Sequence, residues 1–253
     1  MYLRKLTVQP SDASCRGQIK LHKLLDYLQD TASMAVSDLE GASSELMARG
    51  YAWVLVRYEV EVLAPLPTLD DPFVVGTFHD PEHGYNTLRT FQVTKPDGTM
   101  LAWAKTSWLL LDLASGRPVR PMVHIPRIAE RYTEAIDPDF RDIPAPAPDA
   151  EFRATPWPIR FHDLDVNGHV NNAVYFEWVY EATPLDLMEY EIREISASFR
   201  SGARWGDRVN IETCELPSSS PDVRTFVYRV VRDSTPASKP MTLFSCTWER
   251  IRS

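Results

Sequence analysis

The sequence predicts an α+β protein built twice over, each half an antiparallel sheet wrapped around one central helix. Three observations carry this. Residues 136–158, IDPDFRDIPAPAPDAEFRATPWP, are rich in proline and alanine and show no helical or strand period, so they read as a connection. With 136–150 as the linker, the chain divides into an N-terminal domain, 1–135, and a C-terminal domain, 151–253. Both halves then repeat one order: an extended piece, a polar turn, a helical pattern and four strand-like runs. Finally, an offset of 151 lays one half on the other, placing Gly17-Gln18-Ile19 on Gly168-His169-Val170 and Leu24-Leu25 on Tyr175-Phe176. That is the pattern of an internal duplication.

In the first half, residues 3–8 are extended and SDASCRG, 11–17, is a turn. Leu21, Leu24, Leu25 and Leu28 recur at helical spacing, which predicts a helix over 21–39. Strands are predicted over 52–63, 72–78, 85–94 and 101–113, the last two joined by a Pro96-Asp97-Gly98 hairpin turn. In the second half, 159–162 are extended, DLDVNG is the turn and 171–182 are helical. Val174, Tyr175, Phe176, Trp178 and Val179 make that helix apolar on most sides, as a helix wrapped by a sheet must be. Strands are predicted over 192–200, 207–216, 224–232 and 241–250, with Arg89-Thr90-Phe91 matched to Arg224-Thr225-Phe226.

Composition narrows the function classes. The 253 residues carry a net charge of -8, which argues against nucleic acid as a general partner. Cys15, Cys214 and Cys246 are odd in number and widely spaced, fitting neither a disulfide framework nor a zinc site and suiting a reducing compartment. The N-terminus has no apolar signal region, and apolar runs such as residues 108–111 are far too short to span a membrane. A cytoplasmic location is the expectation, without membrane contact.

The stretch DLDVNGHVNN, 163–172, holds the chemistry. Counted as an EF-hand loop from Asp163, it has glycine at the sixth position, but the twelfth is Val174, which offers no ligand oxygen. The preceding ATPWPIRF has two prolines and cannot be the entering helix. A transition-metal set of His162, Asp163, Asp165 and His169 has suitable residue types, yet alternation points His162 and Asp163 apart and no further ligands appear. The expectation is no metal and no cofactor. Opposite Asp165, Asn167 and His169 the first half has Ser14, Arg16 and Gln18, while Gly168 keeps its partner Gly17. The turn is therefore architectural and the Asp-x-Asn-x-His triplet belongs to the second half alone. Asp165 and His169 can activate water or relay protons, and Asn167 can orient a water or a carbonyl. The N–H groups of Gly168, Val170 and Asn171, at a helix start, are the expected substrate-binding oxyanion donors.

Asp165-Val166-Asn167-Gly168-His169-Val170-Asn171-Asn172, followed by Tyr175 and Trp178, resembles the signature of the acyl-acyl-carrier-protein thioesterases, the plant plastid enzymes and their bacterial relatives. Trp53-Val54 leading through Arg57, and Trp108, Asp112 and Arg117 in SWLLLDLASGR, are similar to the family's N-terminal half. The resemblance implies two tandem hot-dog domains and hydrolysis of a fatty acyl thioester, with Asp165, Asn167 and His169 catalytic. It implies a partner, acyl carrier protein bearing a fatty acyl-phosphopantetheine, and release of free fatty acid in fatty-acid biosynthesis. One place departs from the pattern. The family carries a glutamate in a Y-x-K/R-E segment, followed in the plant enzymes by cysteine; here Gly202 and Ala203 stand there. A cysteine-histidine-asparagine mechanism is thereby excluded.

An acyl-coenzyme A thioesterase, a hydratase or dehydratase of acyl thioesters, and a non-catalytic acyl-thioester binder are the alternatives. Arg200, Arg204 and Arg208 are candidates to meet the carrier's acidic surface or the pantetheine phosphate, against a plain reading as solvated charges. Either a monomer or a homodimer is compatible with two fused units.

Overall fold

A computed structural model describes residues 1–37, 43–233 and 239–251. The chain forms two compact units, Met1–Phe140 and Arg141–Ser253.

The first unit contains β1 (Tyr2–Thr7), α1 (Leu21–Val36), α2 (Ser43–Ala48), β2 (Tyr51–Val62), β3 (Pro72–His83), β4 (Asn86–Thr94), β5 (Met100–Asp112), β6 (Arg117–Val119) and α3 (Pro121–His124). Its strands are antiparallel in the order β1-β3-β4-β5-β2, with β6 folded back on β5. Helix α1 packs on β3 and β1. It does so through the leucine stripe, with Leu24, Leu25 and Leu28 at most 1% exposed. Tyr27 meets Phe73 edge to face at 5.9 Å, which fixes the odd-numbered residues of β3 as the face turned to the helix. Burying three leucines contributes roughly 5–9 kcal/mol of gross apolar burial, so the stripe anchors the helix although Lys20 provides no side-chain cap.

The second unit contains β7 (Arg153–Pro158), a 3₁₀ turn (Phe161–Asp163), α4 (Asn172–Ala182), β8 (Tyr190–Phe199), β9 (Arg208–Leu216), β10 (Val223–Arg232) and β11 (Thr242–Arg250). Its antiparallel order, β7-β9-β10-β11-β8, repeats that of the first unit strand for strand. Each unit is a hot-dog: one sheet, one principal helix. Trp178, Tyr175, Phe176 and Val179 are at most 3% exposed, and Phe176, Phe199 and Phe244 form a mutual edge-packed cluster. Such aromatic pairs add about 0.5–1.5 kcal/mol each beyond their buried area.

Several expectations need correction. Residues 153–158, read as part of the connection, are strand β7, and Phe161 and His162, expected to be extended, form a 3₁₀ turn with Asp163. The connection's first residue, Ile136, is buried against Phe78 and Leu88 in the first unit. Helix α1 stops at Val36, and residues 38 and 39 of its expected span lie outside the described residues. The RTF match is out of register. His79 and Glu215 hold the same place in β3 and β9, and opposite them lie Arg89 and Phe226, so Arg89 corresponds to Phe226 rather than Arg224. Trp53 packs beside the cluster of Leu46, Leu110, Ile125 and Ile128.

Candidate active site

Between β7 and α4 the chain makes a turn closed by a bridge between Leu164 and Val170. The Asp165 N–H donates to the His169 carbonyl at 2.7 Å, and the Gly168 N–H donates to the Asp165 carbonyl at 3.0 Å. Gly168 has φ 72°, a left-handed conformation that favours glycine. The first unit builds the same turn from other residues. Ser14 N–H donates to Gln18 at 2.7 Å, Gly17 N–H donates to Ser14 at 2.9 Å, and Gly17 has φ 77°. Buried Asp163 braces the loop, its carboxylate accepting from Arg160 N–H at 2.7 Å, as Asp12 accepts from Gln9 N–H at 3.1 Å.

Asp165 uses its carboxylate locally. Oδ1 accepts from the Asn167 N–H at 2.8 Å and the His169 N–H at 3.2 Å, and Oδ2 accepts from Asn167 Nδ2 at 3.3 Å. The twin, Ser14, accepts from the Arg16 N–H at 3.3 Å. Serine therefore suffices to close the turn. What the aspartate adds is a charge and a second oxygen, held beside the Asn167 amide on a loop where Asn167 is exposed.

His169 is fixed from the segment after β8. Arg204 Nε donates to His169 Nε2 at 2.9 Å. A guanidinium has no lone pair to offer, so this bond requires the lone pair on Nε2 and places the imidazole proton on Nδ1. The ring lies over Gly202: a Cβ at that position would come within 2.8 Å of His169 Cδ2. The residue that departs from the family pattern thus makes room for the histidine. The segment is tied down by the Val170 N–H donating to the Ala203 carbonyl at 2.9 Å and by the Ala203 N–H donating to Tyr175 Oη at 2.8 Å. Burial pushes the Tyr175 hydroxyl up to about 12, so it stays neutral. Asp207 accepts from Arg204 N–H at 2.9 Å and from Arg232.

The structure brings Asp165, Asn167 and His169 into one turn, but it does not leave the expected oxyanion donors open. Gly168 and His169 N–H groups donate to Asp165, Val170 to Ala203, and Asn171 to Asp163. Asn171 is the N-cap of α4, its side chain accepting from the Ala173 N–H at 2.9 Å. The next N–H at the helix start is that of half-buried Asn172, which has no hydrogen-bond acceptor among the described residues. Phe161, Val166 and Trp205 are exposed around the loop, with Phe161 and Trp205 in edge contact at 6.1 Å. Arg204 and Tyr175 are the contributors whose roles spacing did not reveal. Tyr175 could have been found by its twin Leu24, since an apolar position had gained a hydroxyl.

The model of the acyl-ACP thioesterase N-terminal domain matches residues 1–125, and that of the acyl-ACP thioesterase C-terminal domain matches residues 147–242. The chain belongs to the acyl-ACP thioesterase family. Among its relatives, the palmitoyl-acyl carrier protein thioesterase of Arabidopsis thaliana is 24% identical over 221 residues, 79% of this chain and 52% of that protein. An acyl-acyl-carrier-protein hydrolase of Cuphea viscosissima is 28% identical, again over 79% of this chain and 52% of the relative. The chain thus spans about half the length of these curated relatives, both of them named chloroplastic. In fold it is similar to the 12:0-ACP thioesterase from Umbellularia californica, TM-score 0.84 at 18% identity, covering 99% of this chain and 94% of the other. An acyl-ACP thioesterase from Bacteroides thetaiotaomicron gives 0.78 at 20% identity, covering 98% and 97%. Family membership accounts for the repeated hot-dog, and Gly202 is where this member differs from the expected pattern. Among the described residues, no helix is long and apolar enough to cross a membrane.

Proposed function

We propose that the chain hydrolyses fatty acyl thioesters carried on the phosphopantetheine of acyl carrier protein, releasing free fatty acid. The observation that carries this reading is the loop in which the Asp165 carboxylate, the Asn167 amide and an oriented His169 stand together at the start of α4. Asp165 Oδ2 and Asn167 hold the attacking water. Water adds to the thioester carbonyl carbon as its proton passes to Asp165. The oxygen that becomes negative accepts from the Asn172 N–H, at the positive end of the helix, and from His169 Nδ1–H. Collapse of the tetrahedral intermediate breaks the C–S bond, and the proton from Asp165 goes to the leaving sulfur. Acid and thiol are the products, and the carboxylate is restored. In this account His169 is a hydrogen-bond donor, because Arg204 occupies its other nitrogen.

Arg200 and Arg208, both exposed and flanking Arg204, are the proposed contacts for the acidic carrier. The proposed compartment is a reducing one, the cytoplasm, in keeping with three cysteines that are all free. The test is thiol release from acyl-acyl-carrier protein, with acyl-coenzyme A in parallel. Asp165→Asn and His169→Ala are each expected to lower kcat by about 10²–10⁴-fold. Undiminished turnover in both would remove the site from this loop. A second reading, a binder of acyl thioesters without turnover, is favoured by Gly202 standing where a glutamate was expected. Tight binding of acyl-acyl-carrier protein with no thiol released would select it.

A further inference from the structure

The edge strands β1 and β7 hold equivalent places in their units, and their backbones differ where a further strand would pair. Thr77 and Thr213 lie at the same position of β3 and β9, and opposite them stand Tyr2 and Arg153. Along the register, Pro156 and Pro158 of β7 fall at the positions of Lys5 and Thr7 in β1. Val8, one residue past β1, donates its N–H to the Asp71 carbonyl at 3.2 Å, and its carbonyl accepts from the Asp70 N–H at 3.1 Å. In an antiparallel ladder such residues alternate with others whose N–H and C=O point away from the partner. Tyr2, Arg4 and Leu6 therefore bond to β3, and the backbone groups of Leu3, Lys5 and Thr7 point to the open side. No other strand or bridge pairs with β1 among the described residues.

Strand β7 closes its open side, since its two prolines remove the donors at those positions. Strand β1 keeps both N–H groups. The fold tolerates proline there, so the open donors belong to this strand and are not a requirement of the hot-dog. The Thr7 carbonyl accepts from Gln9 Nε2 at 3.2 Å, as a carbonyl pointing off the sheet can. Charge indicates what the edge would take. Lys5 is exposed and has no ion pair among the described residues. Arg4 has a loose one, 3.8 Å from Nη1 to Asp30, and that Nη1 is buried without a hydrogen-bond partner. No acidic residue lies in β1. Lysine on an edge guards against pairing between copies of one chain, and a second β1 would add its own cations to these. An extended segment bearing carboxylates meets the same cations favourably. The strand also borders an open cavity of about 540 Å³, lined by Arg4, Lys5, Leu6 and Thr7 with Tyr27 and Pro96.

We propose that β1 receives an extended acidic peptide segment of a partner protein as an added strand. The segment's backbone bonds to the outward N–H and C=O groups of Leu3, Lys5 and Thr7, and its carboxylates meet Arg4 and Lys5. The exposed side chain of Leu3 favours an apolar residue beside those acids. The inference stands on the first unit alone and does not use the hydrolytic reading of the Asp165 loop.

The test is fluorescence anisotropy of a labelled peptide, Thr-Val-Glu-Glu-Val-Thr, titrated with the full chain. This peptide is expected to bind, and a version with lysine in place of glutamate is not. N-methylation of one alternate set of its residues is expected to abolish binding and of the other set to spare it, because an added strand turns one set of its N–H groups to β1. Thr7→Pro, which copies Pro158 of the twin strand, should weaken the peptide about 10-fold with Tm unchanged. Lys5→Gln keeps the donor and removes the charge, and it should weaken the peptide about 3-fold. No binding of the acidic peptide overturns the proposal, and equal binding of the lysine version overturns the acidic partner. Binding by both N-methylated forms overturns strand addition. Unchanged affinity in Thr7→Pro, or in Lys5→Gln where Thr7→Pro does not fold, overturns the site. A native chain that sediments as a dimer, dissociated by Thr7→Pro, assigns the edge to a second copy and overturns the peptide.

Discussion

A β-carbon at Gly202 would sit 2.8 Å from His169 Cδ2, so any other residue there displaces the imidazole and its bond to Arg204. Two variants follow from this geometry. Gly202→Ala moves the ring, and Arg204→Ala removes the donor that selects the Nδ1–H form. Under the proposed function, both are expected to reduce thiol release on the order of 10²-fold, the usual effect of displacing a reacting group by about 1 Å. Nitrogen-15 spectra of the His169 imidazole provide a readout independent of activity. The native chain should show Nδ1 protonated and Nε2 bare, and Arg204→Ala should show a mixture of the two forms. Retention of a pure Nδ1–H form in Arg204→Ala would refute the positioning role. Tyr175→Phe acts on the same segment from below, since it strands the buried Ala203 N–H. Its cost should be about 1–3 kcal/mol in chemical unfolding, accompanied by a lower kcat.

Strand β3 carries a titratable group whose effect on stability has a definite sign. Burial, and then Arg89 beside it, pushes His79 from its ordinary 6.5 down to about 4. Between these values the unfolded chain binds a proton that the folded chain refuses. Stability is therefore fully present above about 6.5 and is lost as pH falls towards 4, by about 3 kcal/mol for this group. His79→Gln keeps a donor for Ile128 and should flatten urea-measured stability across that window; an unaltered slope would remove His79 as its source. Reading elements from sequence succeeded where one period dominated, as in the leucine stripe of α1. It failed at β7, because Pro156 and Pro158 argue against a strand. Among the described residues only β9 flanks β7 within its unit, opposite Asn210 and Arg208, and an edge strand tolerates missing donors. The site divides the same way. Asp165, Asn167 and His169 lie within five residues of one another, so their grouping in one turn was legible, whereas Arg204 lies 35 residues from His169 and Tyr175 lies 28 from Ala203, separations bridged only by the fold.

The net charge of -8 should repel an acidic carrier, yet the proposed substrate is attached to one. The two effects have different reach. At physiological salt the Debye length is about 8 Å, so distant carboxylates are largely screened while charges at the contact are not. Around the Asp165 loop the nearby cations are unevenly committed. Arg160 is paired with Asp163 and Glu177, and Arg204 is bonded to His169, but Arg200 and Arg208 have no ion pair among the described residues. If these two receive the carrier, reversing them should act on encounter and leave the chemistry intact. Arg200→Glu with Arg208→Glu is expected to raise KM for acyl-acyl-carrier protein about 10-fold with kcat nearly unchanged, and to reduce its dependence on salt. An uncharged acyl N-acetylcysteamine thioester should be hydrolysed by the variant as by the native chain. Equal loss on both substrates would mean that the arginines support the loop rather than the carrier, and an unchanged KM would place the docking surface elsewhere.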